Sequence, residues 1–241
     1  MIQAQTLHKT FGSVNAVNGA TFEAADGAIT TLLGANGSGK TTTLRMLCGL
    51  LQPDQGNVVI DNVRVADDVM TARQKLGVFP DPFGLYPRLT AREHMHYFAR
   101  FHGLRGGKLR EATTWVADLL QMGELLDRRT EGFSQGQRMK VALSRALIHR
   151  PANVILDEPT RGLDVISVRL LRKVLRAMAA EGRTVLLSSH AMADVEELSD
   201  QVVVISAGKV VQSASPAELI QATQAPNLEE AFISLTQSHA A

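Results

Sequence analysis

The stretch Gly34-Ala35-Asn36-Gly37-Ser38-Gly39-Lys40-Thr41 decides the fold, because it fits the pattern G-x-x-x-x-G-K-[ST] and both of its flanks support it. Ile29 to Leu33 is an apolar run of strand length, and Thr42 to Cys48 places apolar side chains at helical spacing. The pattern therefore predicts a phosphate loop between a strand and a helix. A flexible Gly/Ser turn followed by a chance lysine is the alternative, and the two flanks weigh against it.

This loop predicts a nucleoside triphosphate and Mg²⁺ as ligands. Glycines allow backbone N–H groups to surround phosphate oxygens, and the N-terminus of the helix adds positive partial charge. Lys40 would reach the outer phosphates and Thr41 would offer its hydroxyl to Mg²⁺. The expected ATP-binding residues of the loop are Gly34, Asn36, Gly37, Ser38, Gly39, Lys40, Thr41 and Thr42.

Composition limits what this site can serve. The chain has 241 residues, of which 45% are hydrophobic, which is enough for one large domain with a full core. Because 25 basic residues face 24 acidic ones, no overall field favours nucleic acid or an anionic membrane. The lone Cys48 lies on the apolar side of the predicted helix, where a buried thiol in a reducing, cytosolic setting is expected. No apolar run is long enough to span a bilayer and the N-terminus does not resemble a signal peptide, so any membrane role is expected to come through a partner.

The order of apolar runs predicts an α/β protein whose nucleotide core is interrupted by helices. Val154 to Leu156 and Val185 to Leu187 are apolar strands separated by a helical stretch, Val168 to Ala180, as in a parallel sheet. Two helix starts close the chain, at Ser215 and Asn227, each with a glutamate three residues on. The expected division is one domain over 1–241, with a core at 1–80 and 134–214, a helical insertion at 81–133 and a helical tail at 215–241. The N-terminal strands are expected at Ile2 to Leu7, Val14 to Val17, Thr21 to Ala24 and Val58 to Ile60.

Two carboxylates follow the strand Val154 to Leu156 directly. Ligands bind at the carboxyl ends of parallel strands, so Asp157 is expected beside the phosphate loop, where it would hold Mg²⁺ through water. Glu158 would then be the general base next to the γ-phosphate, a role that contributes typically about 10²- to 10⁴-fold in rate. The alternative is that a strand has to end in polar residues in any case.

A third motif, Phe133-Ser134-Gln135-Gly136-Gln137, stands before the helix-like run Arg138 to Ile148. A capping box, with Ser134 as the N-cap and Gln137 at the third position, explains part of it. Glycine weakens a first turn, however, and at position 136 it is expected where another group approaches the backbone closely. A phosphate at the helix N-terminus is the candidate.

These motifs, taken together, resemble the nucleotide-binding subunit of an ABC transporter over nearly the whole chain. They stand in the order of that family: the phosphate loop, Ser134 to Gln137, Asp157-Glu158, Gly162-Leu163-Asp164 and Ser188-Ser189-His190. The resemblance implies a P-loop NTPase core with a parallel sheet, an antiparallel β subdomain at the N-terminus and an inserted helical subdomain. It also implies a head-to-tail dimer, in which Ser134, Gln135, Gly136 and Gln137 act as a signature on the partner's ATP. His190 resembles the switch histidine of the family and Asp164 its D-loop aspartate; without the resemblance, His190 would be a surface or capping histidine.

Three positions depart from the residues usual in the family: Phe11, the signature and Asp81. Phe11 resembles the aromatic residue that stacks on adenine, usually a tyrosine, with a core phenylalanine as the alternative. The signature reads Phe-Ser-Gln-Gly-Gln in place of the usual Leu-Ser-Gly-Gly-Gln. Asp81 stands where the family has a glutamine, so it either assists Mg²⁺ or belongs to a Pro-Asp-Pro turn.

The resemblance extends to bacterial exporter ATPases, including the sodium-extrusion type, through the segments 84–93 and 228–232. It implies a second ATPase subunit, a separate polytopic permease that docks near the segment 83–92, and a peripheral location at the cytoplasmic face of the cell membrane. Sodium, drugs, and lipid or polysaccharide stay open as cargo, because the permease selects it. A soluble ABC-type ATPase that acts on a macromolecular complex is the alternative function. DNA-repair members have a long coiled coil and ribosome-acting members two cores, and neither feature is found here; a module that does not hydrolyse is disfavoured by Glu158 and His190.

Overall fold

Two sheets and the helices packed on them form the protein, as a computed structural model shows for residues 1–237. The smaller sheet has the strand order β2-β1-β4-β5 and all its pairs are antiparallel. Its strands are β1 (Ile2–Phe11), β2 (Val14–Ala24), β4 (Gln55–Ile60) and β5 (Val63–Arg64). The expected strands Val14 to Val17 and Thr21 to Ala24 are thus one continuous strand, which pairs with β1 through several register shifts. The N-terminal antiparallel sheet is confirmed.

The larger sheet has the strand order β10-β9-β3-β8-β7-β6, in which only β10 runs antiparallel to its neighbour. Its strands are β3 (Ile29–Leu33), β6 (Leu76–Phe79), β7 (Asn153–Leu156), β8 (Thr184–Ser189), β9 (Gln201–Ser206) and β10 (Lys209–Ala214). In the register of this sheet Leu33 lies opposite Ser189, and Leu156 lies opposite Leu187. The segments that follow β3, β7 and β8 therefore leave the sheet side by side at its carboxyl edge, where ligands of such sheets bind.

Nine α-helices lie within residues 1–237: α1 (Lys40–Leu47), α2 (Val69–Gln74), α3 (Ala91–Phe101), α4 (Gly106–Leu119), α5 (Gln135–Leu147), α6 (Val165–Ala180), α7 (Met192–Leu198), α8 (Pro216–Thr223) and α9 (Leu228–Gln237). The segment 81–133 holds α3, α4 and a short 3₁₀ turn at Gly123–Leu125, and none of the named strands. Met95, Val116 and Met139 share one core cluster, so α5 packs against the helices of this segment. Both expected caps near the C-terminus are formed: Ser215 Oγ accepts from the backbone N–H of Glu218 at 3.3 Å, and Asn227 Oδ1 accepts from that of Glu230 at 2.9 Å.

The expected domain bounds at 80/81, 133/134 and 214/215 stay predictions, and positions 238–241 of the predicted tail lie outside the described residues. Two helices and four strands had no counterpart among the expected elements: α2, α7, β5, β6, β9 and β10. Cys48 is buried, as expected, and burial raises the pKa of its thiol to about 12. No helix in the described part of the chain is both long and apolar enough to cross a bilayer.

Candidate active site

The phosphate loop joins β3 to α1 and holds its lysine inside the loop. Lys40 is 6% exposed, and its Nζ donates to the carbonyl oxygens of Gly34, at 2.7 Å, and Ala35, at 3.2 Å. Gly39 precedes the helix with φ +106°, and a Cβ on it would overlap the carbonyl oxygen of Ala16. Only glycine fits this position, because both the backbone angle and the space exclude a side chain.

Asp157 and Glu158 leave β7 next to this loop, as the sequence predicts. Asp157 Oδ1 accepts a hydrogen bond of 2.6 Å from Ser188 Oγ and lies 3.5 Å from Thr41 Oγ1. Ser188 Oγ in turn accepts from the backbone N–H of Glu158 at 2.9 Å. Ser188, on β8, therefore orients both acidic residues, a role that its sequence context alone did not indicate because its partners come from the neighbouring strand.

Glu158 lies between the buried lysine and the expected switch histidine. Its Oε1 is 3.8 Å from Lys40 Nζ, and its Oε2 is 2.8 Å from His190 Nδ1. The Glu158 side chain is 13% exposed, whereas that of His190 is half exposed. Glu158 has φ +45°, a left-handed conformation that is uncommon for residues other than glycine and often found at functional sites. The structure thus pairs His190 with the candidate base while half of the histidine side chain stays exposed.

Asp81 lies two residues after the end of β6 and lines the same cleft. Its side chain pairs with neither of the two expected partners, the metal ion and its own backbone. Its Oδ2 accepts a hydrogen bond of 2.9 Å from Arg161 Nη1. Asp81 and Arg161 both line a cleft of about 360 Å³, together with phosphate-loop residues, Thr41, Asp157 and Glu158. Arg161, two residues after Pro159, received no role from the sequence, and it places a second cation at this cleft.

The motif Ser134 to Gln137 begins α5 and forms the capping box that the sequence predicts. Ser134 Oγ accepts from the backbone N–H of Gln137 at 3.3 Å, and Gln137 Oε1 accepts from the backbone N–H of Ser134 at 3.1 Å. Gly136 does have a close neighbour, but that neighbour belongs to α6: a Cβ on Gly136 would overlap Ser167 Oγ. The space that a side chain at position 136 would need is thus occupied by Ser167. The contact of the Gly136 backbone with a phosphate stays a prediction.

Asp164 is the N-cap of α6, and its side chain fixes the position of Ser167. Its Oδ1 accepts from the backbone N–H of Ser167 at 2.8 Å and its Oδ2 accepts from Ser167 Oγ at 3.0 Å. The hydrogen bonds from the Ser167 backbone and side chain lower the pKa of Asp164, so the carboxylate is charged at neutral pH. Ser167 is thus hydrogen-bonded to the expected D-loop residue and lies against Gly136 at the start of α5.

Phe11, at the end of β1, is 49% exposed, so its interpretation as a core residue is wrong. Its strand neighbour Val14 lines the cleft beside Asn15, Ala16 and the phosphate loop. The ring is therefore at the rim of the cleft, with Lys9 Nζ 5.8 Å from its centroid. Half of the side chain is exposed there, and stacking of its ring on a planar base stays a prediction.

Comparison with known proteins agrees with this geometry. The family model of the ABC transporter matches residues 17–161. The ABC transporter ATP-binding protein NatA of Bacillus subtilis (strain 168) is 36% identical over 92% of this chain and 90% of its own. The Nod factor export ATP-binding protein I of Ralstonia nicotianae (strain ATCC BAA-1114 / GMI1000) is 34% identical over 91% of this chain and 68% of its own.

Solved structures show the same fold. The ATP-binding subunit of an ABC transporter superposes with a TM-score of 0.90 at 27% identity, over 98% of this chain and 99% of that one. A bacterial ABC transporter cassette, known from a dimeric structure, superposes with a TM-score of 0.82 at 25% identity, over 89% of this chain and 98% of its own. The matches in sequence and in fold agree with the cleft, which the phosphate loop, Asp157 and Glu158 line. This chain therefore belongs to the ABC transporter family, as an ATP-binding and ATP-hydrolysing subunit.

Proposed function

We propose that the chain hydrolyses MgATP in a head-to-tail pair of ATPase subunits and that this cycle powers export through a separate membrane permease. The observation that carries the proposal is the convergence of Lys40, Asp157, Glu158 and His190 where three neighbouring strands end. Positioning and electrostatics supply most of the catalysis of phosphoryl transfer, and this cleft offers both.

Thr41 and Asp157 fit Mg²⁺. Their side-chain oxygens lie 3.5 Å apart, and hydroxyl and carboxylate oxygens are the ligands that this ion prefers. Mg²⁺ usually keeps several waters and binds through one or two protein oxygens plus substrate phosphates, so no larger cluster of carboxylates is required. When bound, the ion would neutralise charge on the phosphate oxygens. Asp81, which lines the same cleft, would act on the ion through water.

Glu158 would be the general base in hydrolysis. Its carboxylate would take a proton from the water that attacks the γ-phosphorus, while the bond from phosphorus to the bridging oxygen of ADP breaks. His190, hydrogen-bonded to Glu158, would orient that carboxylate and meet the γ-phosphate. In this structure Lys40 donates to carbonyl oxygens of the phosphate loop. With ATP bound, its charge would pair with the outer phosphate oxygens.

The positions of the signature residues support a second subunit. Neither Ser134 nor Gly136 lines the cleft that contains the phosphate loop, so the signature of this chain is directed elsewhere. Val165 and Ile166, which follow Asp164, are 84% and 83% exposed, and apolar side chains so exposed favour coverage by a partner. We propose that a second copy covers this face, with Ser134, Gln135, Gly136 and Gln137 set against its ATP. Phe11 would stack on the adenine of the chain's own ATP.

The proposals of export and of a permease partner rest on the relatives of this chain. The relatives include a Nod factor export protein and a linearmycin resistance protein, both described as ATP-binding proteins. One structural relative is part of a larger transporter complex, cbiONQ, and superposes with a TM-score of 0.81 at 27% identity. The chain would then sit at the cytoplasmic face of the membrane through its permease. Sodium, drugs, and lipid or polysaccharide remain the candidate cargoes.

Substitution of Glu158 by glutamine tests the proposal. An amide keeps the shape of the side chain and cannot take the proton, so Glu158→Gln should bind ATP, lose hydrolysis and accumulate as an ATP-dependent dimer on size-exclusion chromatography. Glu124→Gln, the same change at an exposed position outside the cleft, is the control and should behave as the parent. A Glu158→Gln protein that stays monomeric and hydrolyses ATP at the normal rate would refute the assignment.

A further inference from the structure

The loop between β6 and α3, residues 83–89, connects the nucleotide cleft to the signature helix α5. It begins two residues after Asp81, which lines the cleft, and it borders a second groove of about 360 Å³ that Gln135 and Arg138 of α5 also line. We call residues 83–89 the bridging loop. Its conformation is held by side chains from α3 and α5, as well as by the segment just before the signature.

Arg145, in the last turn of α5, holds the start of the bridging loop. Its Nη1 donates to the carbonyl oxygens of Phe83, at 3.0 Å, and Gly84, at 3.2 Å. Its guanidinium lies 4.1 Å from the ring centroid of Phe98 on α3. Within residues 1–237 no carboxylate forms a salt bridge with this guanidinium, so loop carbonyls and an aromatic face stabilise its charge.

Two further contacts hold the middle of the bridging loop. The backbone N–H of Tyr86 donates to Nε2 of the fully buried His94, at 3.1 Å, and the two rings stack with their centroids 5.7 Å apart. The carbonyl oxygen of Tyr86 accepts from Thr130 Oγ1 at 2.9 Å. Thr130 lies four residues before Ser134, so the bridging loop is tied to both sides of the signature.

These contacts connect both ends of α5 to the site. Its N-terminus carries the signature, and ten residues further on, about 15 Å along the axis, Arg145 donates hydrogen bonds to the bridging loop that follows Asp81. Helices transmit displacement over such lengths because their backbone hydrogen bonds are internal and their packed faces resist bending. A shift of Asp81 on nucleotide binding would therefore be passed to the signature of the same chain.

We infer that Arg145 is a positioning residue that couples the nucleotide cleft of one subunit to the signature it presents to the partner's ATP. The inference rests on the proposed function, since the signature acts in trans only if two subunits close together. Arg145 touches no part of the nucleotide cleft itself, so its loss should change turnover rather than ATP affinity.

Arg145→Met and Arg145→Lys test the inference. Methionine keeps the packing on Phe98 without donors, whereas lysine keeps a charge that can reach a carbonyl. We expect Arg145→Met to lower kcat of the ATPase about tenfold, the loss expected for hydrogen bonds to a charged group, with KM for ATP within about twofold of the parent. Arg145→Lys should recover most of the rate. Arg150→Met is the matched control, because Arg150 also lies over an aromatic ring, Trp115 at 4.8 Å, yet makes no contact with the bridging loop in the described structure.

Hydrogen exchange followed by mass spectrometry supplies a readout that does not depend on dimer formation. In the parent protein we expect ATP to slow amide exchange in residues 133–139. Arg145→Met should abolish this change and should accelerate exchange in residues 83–90, including the Tyr86 amide. Arg150→Met should do neither. A failure of Glu158→Gln to dimerise would refute the action of the signature in trans. The exchange result would still decide whether Arg145 positions the bridging loop. Unchanged exchange in both segments, or a raised KM with an unchanged kcat, would overturn the inference.

Discussion

Replacement of Gly136 by alanine separates packing from nucleotide recognition at the signature. An ideal Cβ at this position would overlap Ser167 Oγ and lie 3.2 Å from Ser167 Cβ and 3.4 Å from Asp164 Oδ2. Relief of such an overlap by backbone or side-chain shifts costs typically about 1–3 kcal/mol. Alanine regains up to about 1 kcal/mol of helix propensity, so the free energy of unfolding of Gly136→Ala should fall by roughly 1–2 kcal/mol.

The removal of Ser167 Oγ provides the matched background. In Ser167→Ala the overlapping atom is gone and a Cβ at 3.2 Å remains, which a shift of a few tenths of an ångström accommodates. The single substitution itself loses the 3.0 Å hydrogen bond to Asp164, which costs about 1 kcal/mol. Adding Gly136→Ala to Ser167→Ala should therefore cost little, and the double-mutant cycle should give a coupling free energy of about 1–3 kcal/mol.

Urea unfolding of the four proteins measures this coupling, and ATPase assays of the same four proteins assign its meaning. If glycine is required because of Ser167, the double variant should have the activity of Ser167→Ala within about threefold, since the backbone N–H of residue 136 is still present for a phosphate. A coupling free energy near zero would refute the packing argument. A double variant that is stable and inactive would show that glycine is required on the nucleotide side.

Three further substitutions test the cleft and the core. Lys40→Ala should weaken ATP binding by about 100-fold or more, because it removes the charged donor to the outer phosphates of ATP. Calorimetry measures this, and the exposed control Lys209→Ala should bind ATP with the affinity of the parent. Near-normal binding by Lys40→Ala would refute the phosphate-loop assignment. Asp81→Ala should raise the Mg²⁺ concentration needed for half-maximal ATPase activity and Asp81→Gln should largely restore it, whereas an unchanged titration would remove Asp81 from the metal site and leave its pair with Arg161 as its role. Burial lowers the pKa of His149 to about 4, and its Nε2 bonds to the carbonyl oxygen of Leu76 at 3.0 Å. As pH falls, the unfolded chain binds a proton at His149 before the folded chain does. The stability contribution of neutral His149 is therefore complete above about pH 6.5 and is lost as pH falls toward 4. His149→Gln should flatten the pH dependence of the free energy of unfolding in urea over this window, and an unchanged slope would contradict the lowered pKa.

The sequence was most informative where local signals agree. The phosphate loop combines three such signals, an apolar strand, a glycine pattern and an amphipathic helix, and the structure forms all three. The two acidic residues after β7 lie at the loop because parallel strands align their carboxyl ends, which is a general property of such sheets. Strand β6 was missed because Gly77 weakens its strand pattern; a Cβ there would overlap the carbonyl oxygen of Ala146 on α5, so close helix packing requires the glycine. The hairpin β9–β10 does carry a local signal in the sequence, the apolar run Val202 to Ile205 followed by Ala207-Gly208.

The contacts that give the site its individual character are those that no local pattern predicts. The neighbours of Asp81 in sequence predict a turn residue or a metal ligand. In the structure its carboxylate instead accepts a hydrogen bond from Arg161, 80 positions further along the chain. The motif alone predicts a phosphate contact at Gly136, and the structure adds Ser167 of another helix in its side-chain space, a second reason for glycine there. Each of these pairs depends on how β6, β7 and the helices after them are placed side by side, so each becomes visible only when the topology is known. They also join segments whose roles in the family are separate, namely the Asp81 segment, the signature and the D-loop. Sequence motifs therefore predict the chemistry of a single cleft. The coupling between the cleft and the signature depends on tertiary contacts of side chains that lie outside those motifs.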